Sequence, residues 1–245
     1  MTDNKPVYFI SDIHLNSNMD NRYGILIAWL KSIEEEKARL VMLGDIFDLW
    51  VGAHEYFITE YSELIESLRR MLEDGWEIHF FEGNHDLYLK KFWEQDLGMS
   101  VHGDEHIVNW QGLRIRMEHG DKANPDDKGY LFLRSFLRNP VTSFVLNHIP
   151  GKIIGGIGDK ASKASRRYTD TIDVDSKELI RKYAERLSEE SNFDVLITGH
   201  THQKDIYTFN QNKRSINLGS WFGKIEYLKL QNGEFEFVTL PEFSN

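Results

Sequence analysis

Apolar positions early in the chain come in two rhythms. Val7–Ser11 is a short, almost wholly apolar run, the pattern of a strand buried on both faces, and Leu40–Leu43 repeats it. Between them, Arg22–Lys37 sets Ile25, Trp29, Leu30 and Ile33 at helical spacing. A second helix is predicted over Tyr56–Glu73, with Ile58, Tyr61, Leu64, Ile65, Leu68 and Leu72 on one face, and a third strand over Glu77–Glu82. Strand–helix alternation in this order implies parallel neighbours joined by right-handed crossovers.

The rhythm then changes. Ile107–Trp110 and Leu113–Glu118 flank Gln111-Gly112 as a hairpin, and the end of the chain holds five more strand-like runs. These are Val195–Thr198, Ile206–Phe209, Ser215–Asn217, Ile225–Leu230 and Phe235–Leu240, the last two joined at Asn232-Gly233. The fold expected is an α/β sandwich of two mixed sheets flanked by helices. Residues 121–192 contain no good strand, and Pro140 and Pro150-Gly151 divide them into short helices. Val174–Glu189 suffices as the helix returning to the core, so the rest reads as an inserted cap. The expected organisation is a core of 1–120 and 193–245 with a helical insertion at 121–192.

Composition narrows the function. The 245 residues include no cysteine, which removes disulfides, thiolate metal sites and a Cys nucleophile together. No stretch approaches the roughly 20 apolar residues of a membrane span, and no leader precedes Val7, so a cytoplasmic location is expected. A net charge of −10 argues against general nucleic-acid binding. Between Lys128 and Tyr168, however, eight bases including Arg134, Arg138, Lys163, Arg166 and Arg167 face the single acid Asp159, which suggests a local anionic partner.

Five motifs follow expected strands: Asp12-x-His14, Gly44-Asp45-x-x-Asp48, Gly83-Asn84-His85-Asp86, His119-Gly120 and Gly199-His200-x-His202. Ligand sites in α/β sheets gather at the carboxyl ends of strands, so motifs distant in sequence can form one site. The pairs Asp12/His14 and His200/His202 skip one residue, and in extended backbone both side chains of a pair would point the same way. Donors limited to oxygen and imidazole suit Mn²⁺, Fe²⁺, Zn²⁺ or Mg²⁺, leaning away from Mg²⁺ alone. A carboxylate can bridge two such ions, and Asp45 is the candidate.

The five motifs in this order resemble the signature of the calcineurin-like metallophosphoesterase superfamily. The resemblance implies one metal held by Asp12, His14, Asp45 and His202, and a second held by Asp45, Asn84, His119 and His200. It implies His85 as the catalytic imidazole, which leaves Asp48 and Asp86 as carboxylates orienting the imidazoles. His54, His79, His102, His106 and His148 match no motif.

The wider layout, including Gly44–Trp50, Tyr130 and the Ser162–Arg167 stretch, resembles the UDP-2,3-diacylglucosamine hydrolase family. That resemblance implies a nucleotide-sugar phospholipid substrate cleaved at the α-phosphorus, usually with Mn²⁺, as part of lipid A synthesis. Tyr130, Lys163, Arg166 and Arg167 would contact the substrate, and Phe132, Phe136, Phe144 and Ile149 would line a trough for acyl chains or rest on a membrane surface. Well-known members of that family carry Arg where this chain has His85. A hydrolase of soluble diesters or nucleotides is the enzymatic alternative, and a non-catalytic scaffold is the alternative from another class.

Overall fold

The computed structural model describes residues 4–154, 156, 176–210 and 212–241. In chain order its first elements are β1 (Val7–Ile10), α1 (Asn21–Ile33), β2 (Arg39–Met42), β3 (Trp50–Val51), α2 (Glu55–Glu60) and α3 (Ser62–Glu73). There follow β4 (Glu77–Phe81), β5 (Asp86–Leu87), β6 (Ser100–His102), β7 (His106–Trp110) and β8 (Leu113–Met117). The inserted helices are α4 (Lys128–Leu137) and α5 (Pro140–His148), and α6 (Ser176–Glu190) returns the chain to the core. The remaining strands are β9 (Val195–Thr198), β10 (Asp205–Phe209), β11 (Lys213–Asn217), β12 (Glu226–Gln231) and β13 (Glu234–Thr239).

Two mixed sheets result. One runs β13-β12-β1-β2-β4-β6, and the other runs β10-β11-β9-β8-β7. In the first, β1, β2, β4 and β6 are parallel and the β12–β13 hairpin adds antiparallel to β1. Period-2 alternation sorts the side chains into layers. Val7 and Phe9 face the second sheet with Val41, Ile115, Ile197 and Ile216, whereas Tyr8 and Ile10 pack towards α1 and α3. On the far side, Leu196 packs with Ile180, Tyr183, Ala184 and Leu187 of α6. The layers are helix, sheet, sheet, helix, as the alternation of patterns implied. Leu64 and Leu68 of α3 are fully buried, so truncating either to Ala costs about 2–5 kcal/mol.

Differences from the expected elements have local causes. The single helix over Tyr56–Glu73 is two, because Tyr61 leaves the helical region at φ −109°, ψ 27° and donates its hydroxyl to the Leu15 carbonyl at 3.0 Å. The two-residue ladder β3–β5 and the π-helical turn Lys90–Asp96 are too short or irregular to show a period in sequence. Both hairpin turns are as expected: Gln111-Gly112 and Asn232-Gly233 hold positive φ at both positions, as type I′ turns require.

The inserted helices begin on side-chain caps, Asp127 accepting from Tyr130 N and Asn139 from Val141 N with Pro140 at the first turn. Neither buries a residue fully, and Phe132, Phe136, Val141 and Phe144 are exposed, Phe132 to 74%. Ile149 departs from its expected place among them, since it packs against the helix-side core. No helix among the described residues is long and apolar enough to cross a membrane.

Candidate metal centre

The motif loops converge at the carboxyl ends of β1, β2, β4, β8 and β9. They do so through backbone that sequence spacing did not suggest. Asp12, His14, Asp45, His200 and His202 all hold φ between 51° and 70°, in the left-handed region, so neither skip-one pair is extended. His200 and His202 accordingly separate, each joining a different donor cluster.

Asp12, His14 and His202 form the first cluster. His14 Nε2 lies 3.1 Å from His202 Nε2, and Asp12 Oδ1 lies 4.0 and 3.4 Å from those two nitrogens. Asp45, His119 and His200 form the second. Asn84 Oδ1 sits 3.2 Å from His119 Nε2 and 3.1 Å from His200 Nδ1. Asp45 Oδ2 stands between the clusters, 3.4 Å from His119 Nε2 and 3.8 Å from His14 Nε2. Donors about 2.1 Å from a cation lie between roughly 3 Å (at right angles) and roughly 4.2 Å (opposite one another) apart, so these spacings fit two small cations sharing a carboxylate oxygen.

The donors are held from behind. Leu43 O lies 2.8 Å from His119 Nδ1, which fixes Nδ1 as the donor and turns Nε2 towards Asp45 and Asn84. Asp45 Oδ1 accepts from His85 N at 2.9 Å, and both Asp12 oxygens accept from His200 N. Asn217 is buried and donates to Gly199 O at 2.7 Å, steadying the last loop. The glycines leave room: a Cβ on Gly83 would lie 2.1 Å from Asp45 Oδ1, and one on Gly199 2.4 Å from Asp12 Oδ2.

Electrostatics follow from this packing. Burial pushes Asp45 up, but the charges of His119, His85 and His14 outweigh it and hold the carboxyl well below its usual range. Burial would lower His119, yet Asp45 and Asp12 raise it to about 10, whereas burial and the neighbouring His119 charge pull His200 down to about 4. A dication held by Asp45 and His119 would compete with protons for the same donor atoms, so its binding strengthens as pH rises.

Of the other expected residues, His85 places Nδ1 2.8 Å from Asp48 O, with its ring 4.9 Å from that of His14. Asp48 Oδ1 is 3.4 Å from His14 Nδ1. Asp86 orients backbone rather than an imidazole: fully buried, it accepts from Ile46 N at 2.9 Å and Phe47 N at 3.1 Å, fixing the Gly44–Asp48 loop. Tyr130 donates its hydroxyl to Asp121 at 3.0 Å, with its ring 5.8 Å from that of His200. Lys163, Arg166 and Arg167 lie outside the described residues.

Two residues at the site carried no motif. Asp121, directly after His119-Gly120, accepts from Tyr130 and from Arg134 Nε at 2.6 Å. Phe222 stacks on His14 with centroids 5.2 Å apart. Arg134 and Arg138, read from sequence as part of a basic face for an anionic partner, instead root the inserted helices on the core. Arg134 pairs with Asp121 and Asp104, while Arg138 donates to the carbonyls of Gly103, Glu82 and Gly83.

The calcineurin-like phosphoesterase family matches residues 5–204. A UDP-2,3-diacylglucosamine hydrolase of Pseudomonas aeruginosa (strain UCBPP-PA14) is 31% identical over 88% of this chain and 90% of its own length. One from Histophilus somni (strain 2336) is 25% identical over 96% of this chain and all of its own. The family match spans every one of the motif loops and both donor clusters that fold brings together, and this chain belongs to the calcineurin-like phosphoesterases, with the clustered donors of a metal-dependent phosphoester hydrolase.

Proposed function

We propose that this protein hydrolyses the pyrophosphate of UDP-2,3-diacylglucosamine, releasing UMP and 2,3-diacylglucosamine 1-phosphate, with two Mn²⁺ ions. The observation that carries hydrolysis is the Asp45 oxygen set between two donor clusters. Asp12, His14, Asp45 and His202 would hold one ion, and Asp45, Asn84, His119 and His200 the other. When bound, such a pair activates water near neutral pH and offsets charge on the attacked phosphate. His85 donates Nδ1–H to the Asp48 carbonyl, which leaves Nε2 to carry the proton delivered to the leaving oxygen. Asp48 and Asp86 position His14 and the Gly44–Asp48 loop respectively.

The acylated substrate is supported by the hydrolases to which the chain is similar and by the exposed Phe132, Phe136 and Phe144. These side chains would take acyl chains or lie against a membrane surface, worth about 0.8 kcal/mol per buried CH₂. Tyr130 and the bases Lys163, Arg166 and Arg167 would meet the anionic head. His85, where well-known family members carry Arg, favours a second reading, a hydrolase of soluble phosphodiesters. The test is UMP release from UDP-2,3-diacylglucosamine by the purified chain with Mn²⁺, beside His85→Ala and Asp45→Asn. Turnover no greater than that of the variants overturns the proposal. Higher activity on a soluble diester than on the acylated substrate favours the second reading.

A further inference from the structure

Three histidines outside every motif meet at one edge of the sandwich. His79 on β4 and His102 on β6 belong to the six-stranded sheet, while His106 on β7 belongs to the five-stranded one. His79 Nδ1 is 3.0 Å from His102 Nε2, and the His102 and His106 rings stack at 4.2 Å. One donor nitrogen from each of the three lies within 4.8 Å of the other two, and the trio shares no residue with the catalytic clusters. We propose that His79, His102 and His106 form a separate site for one borderline divalent cation such as Zn²⁺, whose occupant staples the two sheets together.

The donor set decides the class of ion. Three imidazoles and no carboxylate favour Zn²⁺, Ni²⁺ or Cu²⁺ over the oxygen-seeking Mg²⁺ and Mn²⁺. A tetrahedral Zn²⁺ with Zn–N of 2.0–2.1 Å sets its donors about 3.4 Å apart, close to the 3.0 Å between His79 Nδ1 and His102 Nε2 and inside the 4.8 Å within which all three donors lie. Binding replaces the hydrogen bond between His79 and His102, and the rings turn so that their lone pairs converge. Burial has already pulled His79 down to about 4 and His102 to about 3, so neither must lose a proton at pH 7. The fourth position is left to water.

The test uses the full chain, dialysed against excess free Zn²⁺ at pH 7 and analysed for zinc per chain. Wild type should retain three ions, two in the catalytic centre and one at the edge, and His106→Gln and His102→Gln should each retain one fewer. With Zn²⁺ at about 100 times its dissociation constant, the wild-type Tm should rise roughly 5–10 °C further than that of either variant. Hydrolysis of a chromogenic diester should be the same in all three. Wild type stopping at two ions overturns the proposal without recourse to any variant. Equal uptake by wild type and His106→Gln overturns it as well.

Discussion

Replacing Gly83 by Ala adds one methyl group at the most crowded point of the centre. That carbon would stand 2.1 Å from Asp45 Oδ1 and 2.5 Å from the Asp45 backbone nitrogen, where ordinary contact begins at 3.4 Å. The carboxylate must therefore retreat about 1.3 Å and the backbone about 0.9 Å. Neither motion is easy, because Asp45 already holds φ 53° and its Oδ1 accepts from His85 N. A misplacement near 1 Å at a reacting centre costs about 10²-fold in rate, and overpacking costs about 1–3 kcal/mol in stability. Gly83→Ala should lose about 100-fold or more in kcat/KM on a chromogenic diester and retain fewer than two Mn²⁺ per chain. Its Tm should fall by roughly 2–12 °C. Gly24→Ala in α1 is the control: a Cβ there meets nothing within 4 Å, and activity should be unchanged. Two tightly held ions and a kcat/KM within about threefold of wild type in Gly83→Ala would refute the reasoning.

Other outcomes follow from the same geometry. Asp86→Ala strands the buried Ile46 and Phe47 amides and should cost roughly 2–5 kcal/mol in urea unfolding, with loss of metal. In metal-free buffer, burial holds folded His79 at about 4 against an ordinary 6.5, so the unfolded chain binds the extra proton. That contribution, on the order of 3 kcal/mol, is present above pH 6.5 and lost as pH falls towards 4, and His79→Asn should flatten the dependence seen in unfolding at stepped pH. Phe132→Asp and Phe144→Asp should leave Tm and soluble-diester hydrolysis unchanged, since both side chains are exposed, yet weaken turnover of the acylated substrate about tenfold or more. Chelation should lower Tm and abolish hydrolysis, with both restored by Mn²⁺, because the vacated carboxylates and imidazoles stand 3.1–4.0 Å apart.

The layers and most element types were legible because buried strands and amphipathic helices leave strong periods, as Val7–Ile10 and Ser62–Glu73 do. The meeting of the motif loops was legible from their place after strands. Their conformation was not. The skip-one argument assumes extended backbone, and the left-handed turns at His200 and His202 send the two rings to different clusters. Asp86 was assigned to an imidazole when it serves two amides, because a side chain's partner depends on a loop trace that composition does not encode. The charge pattern likewise did not distinguish arginines that meet a substrate from Arg134 and Arg138, which bind their own core. The edge histidines were invisible as a group: β4 and β6 pair within one sheet, and His106 on β7 joins them only because the second sheet packs against the first.

The left-handed residues at the centre have one more consequence. Outside glycine, the side chains that tolerate that conformation best are Asn, Asp and His, which are also the types that offer oxygen or imidazole to a cation. At Asp12, His14, Asp45, His200 and His202, main-chain demand and coordination demand select the same small alphabet. Alanine scanning there confounds two losses, a donor and a tolerated turn. Exchanges within the alphabet, such as Asp12→Asn, keep the tolerated turn and so separate the two losses.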